Sequence, residues 1–296
     1  MRLGELKEAV GRLQFVAGPL EHLRPLLGPL YAWASAGPRH AYPTLPVMIL
    51  LILEFFAQEL AACSMAQCTD RARDLGEVFR LDAKAAKDGV AIGGWRVDKT
   101  KHTKDASWFA VALTRQNASW AFSRGEAFRT IASLELLGIL VGIMVLMPLS
   151  DFRKADYLGL LTMSCGTDNL GNSFLLDKLL TTKYPLGVVL MEVAFQCRIR
   201  GATLRADWVP RLQNEEADAL TNMEFRHFSA SKRIPVNLDD LNFGVLDRLF
   251  QTGDDYIERL EKLKAETRKN KTTTKRFKTL KRKAGDTLAS RDPWRD

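Results

Sequence analysis

The chain predicts an α/β fold, a five-stranded mixed sheet flanked by helices. Three observations carry that expectation. Apolar residues alternate in hairpin fashion in one stretch, recur at helical spacing in others, and the elements follow the order three strands, helix, strand, helices, strand, helix. Four carboxylates, Asp82, Glu135, Asp168 and Asp218, each lie at the edge of an apolar segment.

From Glu77 to Ala83, Val78, Arg80 and Asp82 alternate with Phe79, Leu81 and Ala83. A polar AKAAKD turn follows, then Gly89 to Trp95 (GVAIGGW), which together read as a hairpin. Trp108 to Thr114, joined by Trp120 to Phe122, supplies a third strand. Thr130 to Met147 places Leu134, Leu137, Leu140, Val141 and Met144 on one broad helical face, with Glu135 near the first turn. Gly138 and Gly142, one turn apart, leave room for close packing on a sheet. Leu160 to Gly166 is a short apolar run ending at Thr167, Asp168 and Asn169, the pattern of a buried parallel strand. GNSFLLDKLLTT and Pro185 to Arg200 read as helices and Ala202 to Val209 as the last strand. Asn214 is placed to cap a helix bearing Asp218. Trp95, Trp108, Trp120 and Trp208 fall in predicted strands, where aromatic rings pack in the core.

An acid beside an apolar run is costly unless a cation or hydrogen bonds compensate it. Four such positions therefore point to a shared metal site, and oxygen ligands suit a hard cation such as Mg²⁺. Carboxylates gathered in one place also repel, so at least one should hold its proton more tightly than usual.

At these residues the chain resembles the ribonuclease H domain, in the form appended to the reverse transcriptases of retrotransposons. TDN around Asp168 and WVPRLQNEEADAL around Asp218 carry most of the likeness, and SLELLG resembles the family's glutamate helix. The likeness covers roughly residues 75 to 225. It implies hydrolysis of the RNA strand of RNA/DNA hybrids, with two Mg²⁺ ions, for which Mn²⁺ can substitute, held by Asp82, Glu135, Asp168 and Asp218. Asp82 and Asp168 are the first choices for the most direct metal contacts. Cellular members place a histidine in the loop before the last helix, and here Arg211, Leu212 and Gln213 fill it. KDASWF around Asp105 also resembles the family's opening motif. Starting there would leave the charged run RVDKTKHTK as a strand and too few strands before the glutamate helix, so Asp82 is preferred. Contacts to nucleic acid are expected at Asn169, Lys84 and Arg211 and, in the tail, at Lys275 and Arg276. Asn169 has the plainer reading of holding the strand-to-helix turn.

The 296 residues carry a net charge of +8, which favours a polyanionic partner and makes its binding salt-sensitive. Cys63, Cys68, Cys165 and Cys197 show no zinc-finger spacing and read as free thiols in a reducing compartment, so an intracellular protein, cytoplasmic or nuclear, is expected. The apolar runs Leu45 to Phe56 and Leu136 to Leu149 fall short of the roughly 18–20 residues that span a bilayer. They read as core helices, with no membrane partner, and the amphipathic N-terminus does not resemble a signal peptide.

The chain divides into a helical segment over 1–74, the ribonuclease H-like domain over 75–228, a helical extension over 229–264 broken around Thr252 and Gly253, and a basic tail over 265–296 expected to be disordered in isolation. GRLQFVAGPLEHLRPLLGPLYAWA in the first segment resembles the connection between a polymerase thumb and the ribonuclease H domain. The polymerase palm with its YxDD hairpin is not in the sequence, which makes the polymerase part of the same retroelement product an expected partner. The function so read is a metal-dependent endonuclease. The alternative is a catalytically decayed retroelement fragment that only binds nucleic acid.

Overall fold

The computed structural model describes residues 1–62, 73–87, 89–100, 102–122, 125–152 and 161–285, with residue 151 and residues 270–285 described by their backbone alone. Three helices open the chain: α1 (Leu3–Ala17), α2 (Leu27–Ala34) and α3 (Val47–Ala61). The sheet follows with β1 (Arg73–Ala86), β2 (Gly89–Arg96) and β3 (Trp108–Ala112), then α4 (Ile131–Leu146), β4 (Leu161–Thr167), α5 (Leu170–Lys178), α6 (Leu186–Ile199), β5 (Ala202–Trp208) and α7 (Glu215–Thr221). Two helices close it, α8 (Leu246–Gln251) and α9 (Gly253–Gly285).

The sheet order is β3-β2-β1-β4-β5. β1 pairs antiparallel with β2 and parallel with β4, β2 pairs antiparallel with β3, and β4 parallel with β5. This is the five-stranded mixed sheet flanked by helices that the sequence predicts. Strand alternation sends Phe79 and Leu81 to one face, where α4 packs. A side-chain carbon on Gly138 would sit 3.3 Å from Leu81 Cδ1, and one on Gly142 only 2.9 Å from the Phe79 ring, so both glycines set the close approach. On the opposite face α7 presses Leu220 against Gly93, the cross-strand partner of Asp82.

Several boundaries differ from expectation. The AKAAKD segment is mostly strand, because β1 runs on to Ala86 and pairs it with Gly89; Ala85 and Lys84 find partners in Val90 and Ala91. Asp88 lies outside the described residues. Trp120 to Phe122 form a 3-10 turn, since Thr114 and Asn117 close the chain just after β3, and Trp120 is buried by stacking on Phe250 at 4.9 Å. Trp208, at the end of the outer strand β5, is 51% exposed rather than in the core.

Together with the turn before it, α4 makes a stretch, Ala127–Leu146, long and apolar enough to cross a membrane. It is nonetheless packed, with the sheet on one side and α6 on the other. Its C-terminal carbonyls are met by two buried arginines, Arg96 to Leu146 O at 2.8 Å and Arg200 to Met147 O at 2.9 Å, cations where the helix dipole favours them.

The N-terminal helices share the sheet's core: Leu6, Leu30, Met48 and Ile52 belong to the same continuous buried cluster as Phe79 and Leu137. Glu59 of α3 ties this layer to α6 through Arg198 at 2.7 Å and also meets His22 at 3.3 Å. At the other end, fully buried Glu192 of α6 accepts the backbone N–H groups of Gly244, Val245 and Leu246 at 2.8–3.0 Å, which fastens the start of α8. Beyond the break at Thr252, α9 docks through Tyr256, whose hydroxyl donates to Pro29 O at 3.2 Å. The segment expected to be disordered in isolation is backbone helix as far as Gly285. The docked first turns of α9 supply the costly nucleus, and Lys and Arg extend a helix readily. Residues 286–296 are outside the described residues, as are Cys63 and Cys68, while Cys165 and Cys197 are buried free thiols.

Candidate metal centre

Strand register brings the first two acids together. Arg80 of β1 pairs in parallel with Gly166 of β4, so Asp82 and Asp168, each two residues further on, end level at the same rim. Glu135 arrives from the early part of α4. Oxygens of Asp82, Glu135 and Asp168 all lie within 4.8 Å of one another. Asp82 and Glu135 are buried and Asp168 is half-buried.

Asp218, on α7, stands beside this trio rather than in it. One of its oxygens accepts from Arg211 at 3.0 Å and the other from Asn222 Nδ2 at 2.9 Å. Its charge nonetheless acts on Asp82. Three of the four predicted acids therefore converge, with the fourth at the edge. Asp105 sits in the 3-10 turn Thr103–Asp105 and takes no part in the trio.

The electrostatics follow from this crowding. Burial, with the charges of Asp82 and Asp168, pushes the Glu135 pKa up to about 9. Burial raises Asp82 to about 6, helped by Asp168 and Asp218 and opposed by a hydrogen bond from Thr221. Buried Glu135 Oε2 has no hydrogen-bond partner among the described residues. A buried acceptor with no donor is costly. A divalent cation would relieve both that deficit and the mutual repulsion of the acids, and an all-oxygen donor set suits a hard divalent ion.

Other residues set the acids in place, and sequence reasoning did not find them. Thr221 Oγ1 donates to Asp82 Oδ2 at 2.9 Å, from the next turn of the helix that carries Asp218. Nothing in the local sequence marks Thr221, since the bond spans 139 positions. Arg80, paired with Glu77 at 2.7 Å, donates to Gln213 O at 2.7 Å and so holds the loop before α7. Gly166 makes room for that pair, since a Cβ there would lie 2.6 Å from Glu77 Oε1. Trp208 Nε1 donates to Asp168 O at 3.1 Å.

Asn214 precedes α7 but its side chain does not cap it. Turned towards the sheet, it donates from Nδ2 to Leu81 O at 2.9 Å, at φ −119° and ψ 22° rather than in an extended conformation. Asn169 holds its turn as read, its side chain accepting from Asn172 N at 3.1 Å as the N-cap of α5. Lys84 lies within β1 rather than in a loop and is half-buried. Arg211 is well exposed beside the acids. The side chains of Lys275 and Arg276 lie outside the described set.

No protein-family model and no curated protein matches the chain. Among solved structures, the chain is similar to the crystal structure of RNase H1 from the halophilic archaeon Halobacterium salinarum NRC-1, at 16% identity and a TM-score of 0.32, covering 52% of this chain and 98% of that one.

Proposed function

We propose that the chain is a metal-dependent endonuclease that hydrolyses the RNA strand of RNA/DNA hybrids, as part or remnant of a retroelement reverse transcriptase. The observation that carries this reading is the convergence of Asp82, Glu135 and Asp168 around an unpartnered, buried Glu135 oxygen. Those three residues, joined by Asp218, would hold two Mg²⁺ or Mn²⁺ ions. When bound, such a pair supplies an activated water and neutralises charge at the departing ribose oxygen.

The chain's own residues do the positioning. Thr221 fixes the Asp82 carboxylate, and Arg80 and Asn214 fix the loop that carries Arg211. The Asn169 side-chain oxygen is committed to Asn172, which leaves its NH₂ end as the group that would donate to a ribose 2′-hydroxyl. Lys84, Arg211, Lys275 and Arg276 contribute to backbone binding, in keeping with the +8 charge. A polymerase portion of the same retroelement product is the partner that the N-terminal connection-like segment fits. The site of action is intracellular, cytoplasmic or nuclear, where Cys165 and Cys197 persist as thiols.

Cutting of a labelled RNA/DNA hybrid should require Mg²⁺ or Mn²⁺, stop in EDTA, and fall at least about a hundredfold in Asp168→Asn with circular dichroism unchanged. Undiminished cutting by that variant would remove the site from consideration. The second reading, a decayed fragment that binds nucleic acid without cutting it, draws on the Arg211–Asp218 pair that keeps the fourth acid from the trio. It predicts salt-dependent hybrid binding with no metal-dependent product.

A further inference from the structure

Resting on the metal reading above, a second feature of the site concerns a cation the chain itself supplies. Arg211 lies in the 3-10 turn Arg211–Gln213 ahead of α7, and that turn is clamped on both sides. Val209 N–H donates to Thr167 O at 2.9 Å before it. Arg80 donates to Gln213 O at 2.7 Å and Asn214 to Leu81 O at 2.9 Å after it. Between the clamps the Arg211 side chain is 78% exposed, yet one guanidinium nitrogen meets Asp218 Oδ1 at 3.0 Å. Its charge also acts on Asp82, Asp168 and Glu135. With its second oxygen bonded to Asn222, Asp218 has both oxygens engaged and stays outside the trio.

We propose that Arg211 is an exchangeable counter-ion: it holds Asp218 in the metal-free protein, yields it to entering divalent cations, and then pairs with a backbone phosphate of the nucleic acid. A guanidinium and a metal ion compete for the same carboxylate oxygen. The pair is exposed and therefore weak, so exchange costs little. Arginine cannot shed its proton, so a displaced Arg211 has to find another anion. Its planar fork matches a phosphate, and the anchored turn keeps it at the rim where the substrate's phosphates would approach the acids. For the same reason the residue contributes charge and does not carry protons.

The test uses the full chain and two readouts that move in opposite directions. Calorimetric titration with Mn²⁺ alone should show Arg211→Ala binding the metal roughly two- to fivefold more tightly than the wild type, the worth of an exposed ion pair. Arg211→Lys should change less. Binding of a hydrolysis-resistant 2′-O-methyl RNA/DNA hybrid in Mn²⁺, followed by anisotropy, should weaken at least about threefold in Arg211→Ala. Metal affinity that is unchanged or weaker in Arg211→Ala overturns the exchange, as does hybrid binding that does not weaken. Failure of the site reading looks different: the wild type would then show no Mn²⁺ binding that Asp168→Asn abolishes, and the exchange would fall with it.

Discussion

Glu135 and Asp82 tie stability to pH. Unfolded, Glu135 loses its proton near the ordinary glutamate value of 4.5; folded, it keeps the proton up to about pH 9. Across that window the native state binds the extra proton, so stability is lost as pH rises. Asp82 adds to the slope between 3.8 and about 6. In EDTA the melting temperature should therefore drop by several degrees between about pH 6 and pH 8.5, and Glu135→Gln should flatten the curve and raise its alkaline end. Mg²⁺ should restore the loss, because binding needs the deprotonated acids. A wild-type curve already flat over this range would disprove the buried, proton-holding Glu135. The acids were legible because a carboxylate against an apolar run is visible in one dimension. Their supports were not, since Arg80 to Gln213, Asn214 to Leu81 and Thr221 to Asp82 join residues 133 or more positions apart. A threonine inside a helix gives no warning of such a bond.

Among the elements, β4 shows how a single glycine protects the site. Gly166 lies two residues before Asp168, and a Cβ there would also come within 3.0 Å of Arg80 Cγ and Val209 Cγ2. Gly166→Ala should displace Glu77 from Arg80, loosen the Gln213 anchor and lower stability by about 1–3 kcal/mol. Denaturant melts would measure that cost, and hybrid cleavage should fall along with it. An alanine variant of wild-type stability and rate would show that the pair tolerates crowding. Periodicity announced β1, β2, α4, α6 and β5 because each has one buried face or is buried on both. It misread AKAAKD, whose alanines and lysine stems suit a strand as well as a turn once a partner strand is alongside. It also misplaced Trp120, whose burial comes from Phe250 in the distant C-terminal helices.

For the molecule as a whole, charge and core are distributed differently. Residues 270–296 hold nine Lys and Arg against three Asp, a net +6 of the total +8. Ending the chain at Lys269 should leave the melting temperature within about 2 °C, because the described anchors of α9 lie before that point. The same truncation should weaken hybrid binding at low salt and flatten its salt dependence. A truncated protein with an unaltered salt slope would mean that the tail does not touch nucleic acid. Composition made the basic end legible, but it could not show that the N-terminal helices complete the sheet's own core, since only tertiary contact joins Leu30 and Met48 to Leu137. Glu192 extends that point to biosynthesis. Its carboxylate sits in the interior with donors from residues 244–246, which leave the ribosome some fifty positions later. Until they arrive, a nascent chain holds an acid in its middle layer without those three amides, so the interior is complete only once the closing helices have been made.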